Sequence, residues 1–342
     1  MAVKRVILII LAWIFILTAV AYADILMTPD DVEKVMGKPD WVILDCRVKK
    51  NYDEGHIPGA INLGDSCRVK LRDGTQRVLP AARLEKILGE AGISNDKHVV
   101  VYSDADIVHA TVGYWILEYL GHEGKVHLLD GGIVEWKAQG KPISKEETKL
   151  PPATFKAKVN ERIKATTEEV LKIAKGELKD VQLIDARTEK EYSGYDVRAL
   201  RGGHIPNTTI NVSHELNFDK QTGKILPLKI LRERFFGKLD PNKRTIAYCQ
   251  TGSRSTLTYI ILKMLGFKDV ANYDDSWVVY GNSVYPPFPI EDEQWMNIEA
   301  LNKDLPKVEK EVKALQDELK SLKEALQKAG IIKEEKKEGA AH

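Results

Sequence analysis

One pattern is written twice in this chain, and the duplication limits what it can fold into more than any other feature. The first copy runs Val42-Ile43-Leu44-Asp45-Cys46-Arg47, then Tyr52, then Gly55-His56-Ile57-Pro58 and Ile61-Asn62. The second runs Gln182-Leu183-Ile184-Asp185-Ala186-Arg187, then Tyr192, then Gly203-His204-Ile205-Pro206 and Ile210-Asn211, with an inserted segment around Ser193 to Arg201. Each copy continues into a further apolar run, His98 to Tyr102 and Arg244 to Tyr248, followed by a polar loop, a helical pattern and a Leu-Gly pair at Leu120-Gly121 and Leu265-Gly266. Self-similarity of this length means one structural unit used twice. Short apolar runs bounded by Asp, Gly and Pro predict buried parallel strands, and the helical stretches between them predict crossovers. The expected architecture is two tandem α/β domains, each a parallel sheet with helices on both faces. Their bounds are 24–144 and 155–292, joined by an extended, charged linker over 145–154 that contains Pro151-Pro152.

The two ends of the chain differ from this body. Lys4 and Arg5 precede an apolar run from Val6 to about Val20 that closes on Ala21-Tyr22-Ala23, the pattern of an export signal over 1–23 with a cleavage site. An uncleaved membrane anchor is the alternative, because the run approaches the ~20 residues that span a bilayer. Export, to a periplasmic type of compartment, would let disulfides persist. Cys46 and Cys67 could then pair if their Cα atoms come within ~7 Å, and the odd count of three cysteines leaves at least one thiol to explain. At the other end, Leu301, Leu305, Val308, Val312, Leu315, Leu319, Leu322 and Leu326 recur at alternating spacings of four and three. That is a heptad seam. It predicts a coiled-coil-like helix over 300–330, regular from about Leu305 with Pro306 in its first turn, and a disordered charged tail over 331–342. Self-association through 301–329, with Glu318 and Lys323 able to pair between parallel chains, stands against packing of the stripe on the chain's own second domain. Lys plus Arg (51) nearly balances Asp plus Glu (50), so no field draws a nucleic acid partner.

The succession Asp-x-Arg, Tyr, Gly-His-Ile-Pro and a strand leading into a cysteine loop resembles the rhodanese family of sulfurtransferases over roughly Leu26 to Tyr280. The two-domain arrangement is similar to the thiosulfate and mercaptopyruvate sulfurtransferases, whose first domain usually lacks the nucleophile. The loop Cys249-Gln250-Thr251-Gly252-Ser253-Arg254-Ser255 carries the chemistry in this reading. A strand-to-helix turn aims backbone N–H groups inward and adds the positive end of a helix, so it holds an anion. Arg254 and those donors should lower the pKa of Cys249, and the thiolate is the nucleophile. The resemblance implies that Cys249 takes a sulfane sulfur from a small sulfur-containing anion, holds it as a persulfide and passes it to a thiol or cyanide acceptor, without a cofactor. Ser103 occupies the corresponding place in the first half, beside Asp104 and Asp106, which would repel an anion; that domain is expected to be structural.

Two departures bear on the donor. Gln250 and Thr251 stand where the thiosulfate branch often has Arg-Lys and the mercaptopyruvate branch Gly-Ser, so the loop looks more like bacterial Cys-x-x-Gly-x-Arg-Ser rhodaneses. Glu191 stands where many two-domain members carry an arginine, leaving Arg187, Arg198 and Arg201 as candidates to bind the donor. Asp185, Arg187 and His204 also have a structural reading, a buried ion pair and a turn-fixing histidine, because Asp45, Arg47 and His56 repeat them in the half without a nucleophile. Competing functions are a non-enzymatic persulfide carrier or docking module, and a phosphatase or arsenate reductase on the same fold. The latter uses Cys-x5-Arg, whereas Arg254 closes the shorter Cys-x4-Arg, a bowl tight for phosphate. His122 and His127 have no cysteine or carboxylate at ligand spacing, so no metal site is expected.

Overall fold

The structure is a computed structural model that describes residues 25–328. In the first repeat the chain forms β1 (Leu26–Met27), α1 (Pro29–Val35), β2 (Trp41–Asp45), α2 (Lys49–Glu54), β3 (Ile61–Asn62), α3 (Cys67–Lys70), α4 (Ala81–Glu90), β4 (His98–Tyr102), α5 (Val108–Tyr119), β5 (Val126–Leu129) and α6 (Gly132–Ala138). The second follows as β6 (Lys164–Ala165), α7 (Thr167–Ala174), β7 (Val181–Asp185), α8 (Glu189–Tyr192), β8 (Arg201–His204), β9 (Thr208–Asn211), α9 (Leu228–Phe235), β10 (Arg244–Tyr248), α10 (Ser255–Met264), β11 (Val270–Tyr273) and α11 (Ser276–Tyr280). After these come β12 (Glu291–Trp295), which pairs with β8, and a long helix α12 (Ile298–Lys328).

Each repeat builds a five-stranded sheet, in the orders β1-β5-β4-β2-β3 and β6-β11-β10-β7-β9, with every neighbouring pair parallel. The apolar runs of β2, β4, β7 and β10 are buried on both faces, as a parallel sheet covered by helices requires. Two cores lie on the outer faces, one around Trp136, Ile43 and Val100 and one around Trp277, Tyr248 and Leu183. The third core is shared: it includes Val99, Trp115 and Leu117 of the first repeat and Leu257, Ile261 and Ala247 of the second. The sheets therefore face each other across α5 and α10, and the two domains form one hydrophobic body.

That body has an internal two-fold relation. Thr111 Oγ lies 2.8 Å from Thr256 Oγ, and the two residues hold the same position counted back from Leu120-Gly121 and Leu265-Gly266. Tyr259 donates to Glu118 at 2.8 Å, and Lys263 pairs with the same carboxylate at 2.7 Å. Between the domains, 145–154 is almost without regular structure.

Residues up to Gln294 and those from Trp295 onward are separate compact units. Helix α12 begins at Ile298, ahead of the Leu305 start expected from sequence, so that Pro306 lies inside the helix rather than in its first turn. Val308, Val312, Leu315, Leu319 and Leu322 of its apolar stripe are exposed. The expected export signal over 1–23 and tail over 331–342 lie outside the described residues. No described helix is long and apolar enough to cross a membrane.

Candidate active site

Parallel register sets the site. Tyr248 pairs with Asp185 at the C-terminal ends of β10 and β7, so the chain leaves both strands on the same edge of the sheet. Ligands of open α/β sheets bind at that edge. The Asp-x-Arg element closes on itself there: Arg187 Nε lies 3.0 Å from each Asp185 oxygen, its Nη2 reaches Oδ2 at 2.6 Å and the Gly203 carbonyl at 2.8 Å, and its guanidinium stacks 4.2 Å from the Trp277 ring centroid. Asp45, Arg47 and the Gly55 carbonyl make the same set in the first domain. His204 stacks on Tyr192 and hydrogen-bonds its carbonyl, as His56 does with Tyr52. These residues fix turns in both halves.

Cys249 follows β10 and is fully buried. Its amide donates to Ser276 Oγ at 3.1 Å and its carbonyl accepts from Trp277 N at 3.0 Å, which bolts the start of the loop to α11. Gly252 sits at φ +72, and a Cβ there would lie 2.5 Å from the Asp274 carbonyl, so only glycine fits this turn. Asn272 donates to the Gly252 carbonyl at 3.0 Å, and its oxygen accepts from Ser255 Oγ at 2.6 Å. Ser255 Oγ is also 3.5 Å from Cys249 Sγ, so one hydroxyl hydrogen serves two acceptors. Burial pushes the Cys249 thiol up; the Arg254 charge, the Ser255 hydroxyl and the amides of Ser255 and Thr251 outweigh it and hold the thiol below its ordinary value. The arrangement can stabilise a thiolate, or an anionic sulfur one bond further out.

Glu191 is where the structure adds most to the sequence. It is fully buried and takes Arg254 in a bidentate pair, Nη1 to Oε2 at 2.8 Å and Nη2 to Oε1 at 2.7 Å. Burial pushes its carboxyl up, but Arg254 and the Thr188 amide bring it down to about 2. The acidic residue at this position thus holds the loop arginine in place.

The candidate donor-binding residues separate. Arg198 is half exposed, lies 3.6 Å from Glu191, and its carbonyl accepts from Gln250 Nε2 at 2.9 Å, so it stays at the mouth. Arg201 is buried away from the loop, with Nη1 at 3.0 Å from the Phe288 carbonyl and 3.0 Å from Glu293, and Arg187 is closed against Asp185. Arg201 spends its guanidinium on the Ser283 and Phe288 carbonyls and Glu293, and Arg187 on Asp185 and the Gly203 carbonyl, so both forks are engaged within the fold. Of the loop, Thr251, Gly252 and Ser253 meet a residue from the other domain, Arg72. Arg72, Asn272 and Ser276 carry no local sequence signal; the hairpin repeated at Arg72–Val78 and Phe218–Ile225 was the available clue. Cys46 and Cys67 form a disulfide, their Cα atoms 4.7 Å apart. Among the described residues no cluster of three or more His, Cys, Asp or Glu could hold a metal.

Comparison with known proteins agrees with this geometry. The family model of the rhodanese-like domain matches residues 28–139 and 166–283. A putative thiosulfate sulfurtransferase of Mycolicibacterium smegmatis is 34% identical over 284 residues, covering 79% of this chain and 99% of the relative. The thiosulfate sulfurtransferase of Azotobacter vinelandii is 32% identical over 281 residues, covering 79% and 98%. Among solved structures, the anaerobic ergothioneine biosynthesis enzyme of Chlorobium limicola superposes with a TM-score of 0.69 at 22% identity, over 78% of this chain and 70% of that one. At that identity the likeness concerns the fold.

Proposed function

We propose, from the premise that the chain belongs to the family of tandem rhodanese-like sulfurtransferases, that it moves the sulfane sulfur of thiosulfate to cyanide or a thiol through a persulfide on Cys249. The observation that carries this reading is the thiol itself: a buried Cys249 held below its ordinary pKa inside a loop of inward amides. The Cys249 thiolate attacks the outer sulfur of thiosulfate, the S–S bond breaks, and sulfite leaves with the bonding pair. The terminal sulfur of the persulfide keeps the negative charge, which the loop amides and Arg254 stabilise. Attack by cyanide on that sulfur forms thiocyanate and returns the thiolate, so the cycle needs no external electrons or cofactor. Thiosulfate as donor is supported by the names of the 34% and 32% identical relatives.

The buried disulfide supports work in an oxidising compartment, reached by export. The functional test is turnover of thiosulfate with cyanide: thiocyanate formation that saturates with thiosulfate is expected. Persulfide formed only by transfer from a partner protein, with no turnover on thiosulfate or mercaptopyruvate, would favour the carrier reading instead.

A further inference from the structure

The two domains grip each other through matching hairpins. In the first, Arg72 bridges Val78 and the Val78 amide donates to Asp274 Oδ2 at 2.9 Å. In the second, Phe218 bridges Ile225 and the Ile225 amide donates to Asp130 Oδ1 at 2.9 Å. Leu79 N to the Leu71 carbonyl and Leu226 N to the Asn217 carbonyl complete the equivalence. Each hairpin lies against the other domain's loop, Phe218's against Asp104 and Ala105, Arg72's against Thr251 to Ser253. The interface is therefore symmetric in backbone and asymmetric in one side chain: an arginine faces the loop that has a cysteine, and a phenylalanine occupies its place on the other side.

What the arginine does follows from its partners. Arg72 is fully buried. Nη1 donates to the Thr251 carbonyl at 2.6 Å and to its own hairpin's Gln76 carbonyl at 2.5 Å, with Ser253 Oγ 3.1 Å away. Nη2 donates to the Gly252 carbonyl at 3.3 Å and to Asp274, which neutralises it. A trans peptide places C=O and N–H on opposite sides. The Thr251 carbonyl, drawn toward the first domain, therefore turns the Gly252 amide away from it, and the Gly252 carbonyl is shared between Arg72 and Asn272. The guanidinium also lies close enough to Cys249 to interact with its charge.

We propose that Arg72, supplied by the domain without a nucleophile, is a positioning residue that holds the Cys249 loop open as an anion cradle by anchoring its outward carbonyls. The proposal rests on the sulfurtransferase reading for its consequence in turnover, but its geometric claim concerns the thiolate alone. Cys249 is the only free thiol when Cys46 and Cys67 are paired, so the ultraviolet absorbance of the thiolate, followed against pH without reductant, reports on it directly. Arg72→Lys keeps a charge opposite Asp274 but cannot fork across two carbonyls. The expected result is a titration midpoint raised by about one pH unit and turnover near neutral pH lowered about tenfold, as the thiolate fraction falls by that factor. Arg72→Met should move both further, and if it fails to fold the lysine variant decides. Phe218→Ala, the matched site across the two-fold, should lower the melting temperature and leave the midpoint in place. A folded Arg72→Lys protein with the wild-type midpoint and turnover overturns the proposal. A wild type that transfers no sulfur while the Arg72→Lys midpoint still moves removes the functional reading and leaves the positioning role standing.

Discussion

The loops after β4 and β10 grow from the same frame and end in different chemistry. Both follow a central strand whose terminal tyrosine lies beside an Asp-x-Arg pair, Tyr102 with Asp45 and Arg47, Tyr248 with Asp185 and Arg187. In the first, Ser103 Oγ donates to the Asp106 carbonyl at 2.9 Å and the Asp106 amide donates to Asp104 at 3.0 Å, so the loop satisfies its own donors. In the second, carbonyls are taken by Arg72, Asn272 and backbone amides, and N–H groups are left for Cys249. The frame belongs to folding, because it persists where no nucleophile exists. The direction of the loop's peptide groups belongs to function.

The sharpest way to break this contrast is to exchange the two side chains at the heads of the loops. Cys249→Ser is expected to lower thiocyanate formation by more than about a thousandfold. Ser103→Cys in the same protein should restore nothing, because the loop's donors are spent on its own acceptors and it carries two carboxylates, Asp104 and Asp106. Recovery of turnover in the double variant would mean that the frame alone suffices.

The frame itself should respond equally in both halves. Asp45→Asn and Asp185→Asn each leave a buried arginine without its charge partner and should each lower the unfolding free energy in urea by about 3–5 kcal/mol. A large loss in the second half only would mark the pair as a catalytic device.

The disulfide is a third difference between the halves, since Ala186 stands where the first has Cys46. It joins residues 21 apart in sequence, and Gly113 of α5 packs against both sulfurs. Cys46→Ala should lower stability by about 3 kcal/mol. Melting temperatures with and without reductant check this: wild type should fall toward the variant, and the variant should not move.

The smallest effect is expected from Glu191→Gln. Glu191's carboxyl lies at about 2 in the folded protein against an ordinary 4.5, so its charge adds stability that is complete above about pH 4.5 and fades as pH falls toward 2. The glutamine variant should lack that part of the acid limb in its stability profile; parallel profiles would contradict the bidentate pair. With Arg254 released toward the pocket, the KM for thiosulfate should fall several-fold.

Much of this was legible because it repeats. The matched apolar runs between Asp, Gly and Pro gave both sheets, since local chain geometry decides them, and Cys249 in a strand-to-helix loop, within a frame that resembles a known family, gave the candidate nucleophile. Arg72 was not legible: it stands 179 residues from Thr251, and nothing near it in sequence distinguishes it from a solvated hairpin charge. Glu191 read as a lost cation because its partner, 63 residues away, meets it only across the folded loop. Arg201 read as an anion binder because the inserted segment has no counterpart in the first repeat to show that its carbonyl partners lie at Ser283 and Phe288. Helix α12 begins at Ile298, eight residues ahead of Pro306, so the rule that places a proline in the first turn of a helix did not mark this start.

The central claim is that sulfur travels on Cys249, and intact-mass measurement after exposure to thiosulfate tests it most directly. The account predicts that wild-type protein gains the mass of one sulfur atom, that the gain maps to the peptide containing Cys249, and that adding cyanide removes it. A protein that gains no sulfur, or that carries it elsewhere while still forming thiocyanate, would contradict the account.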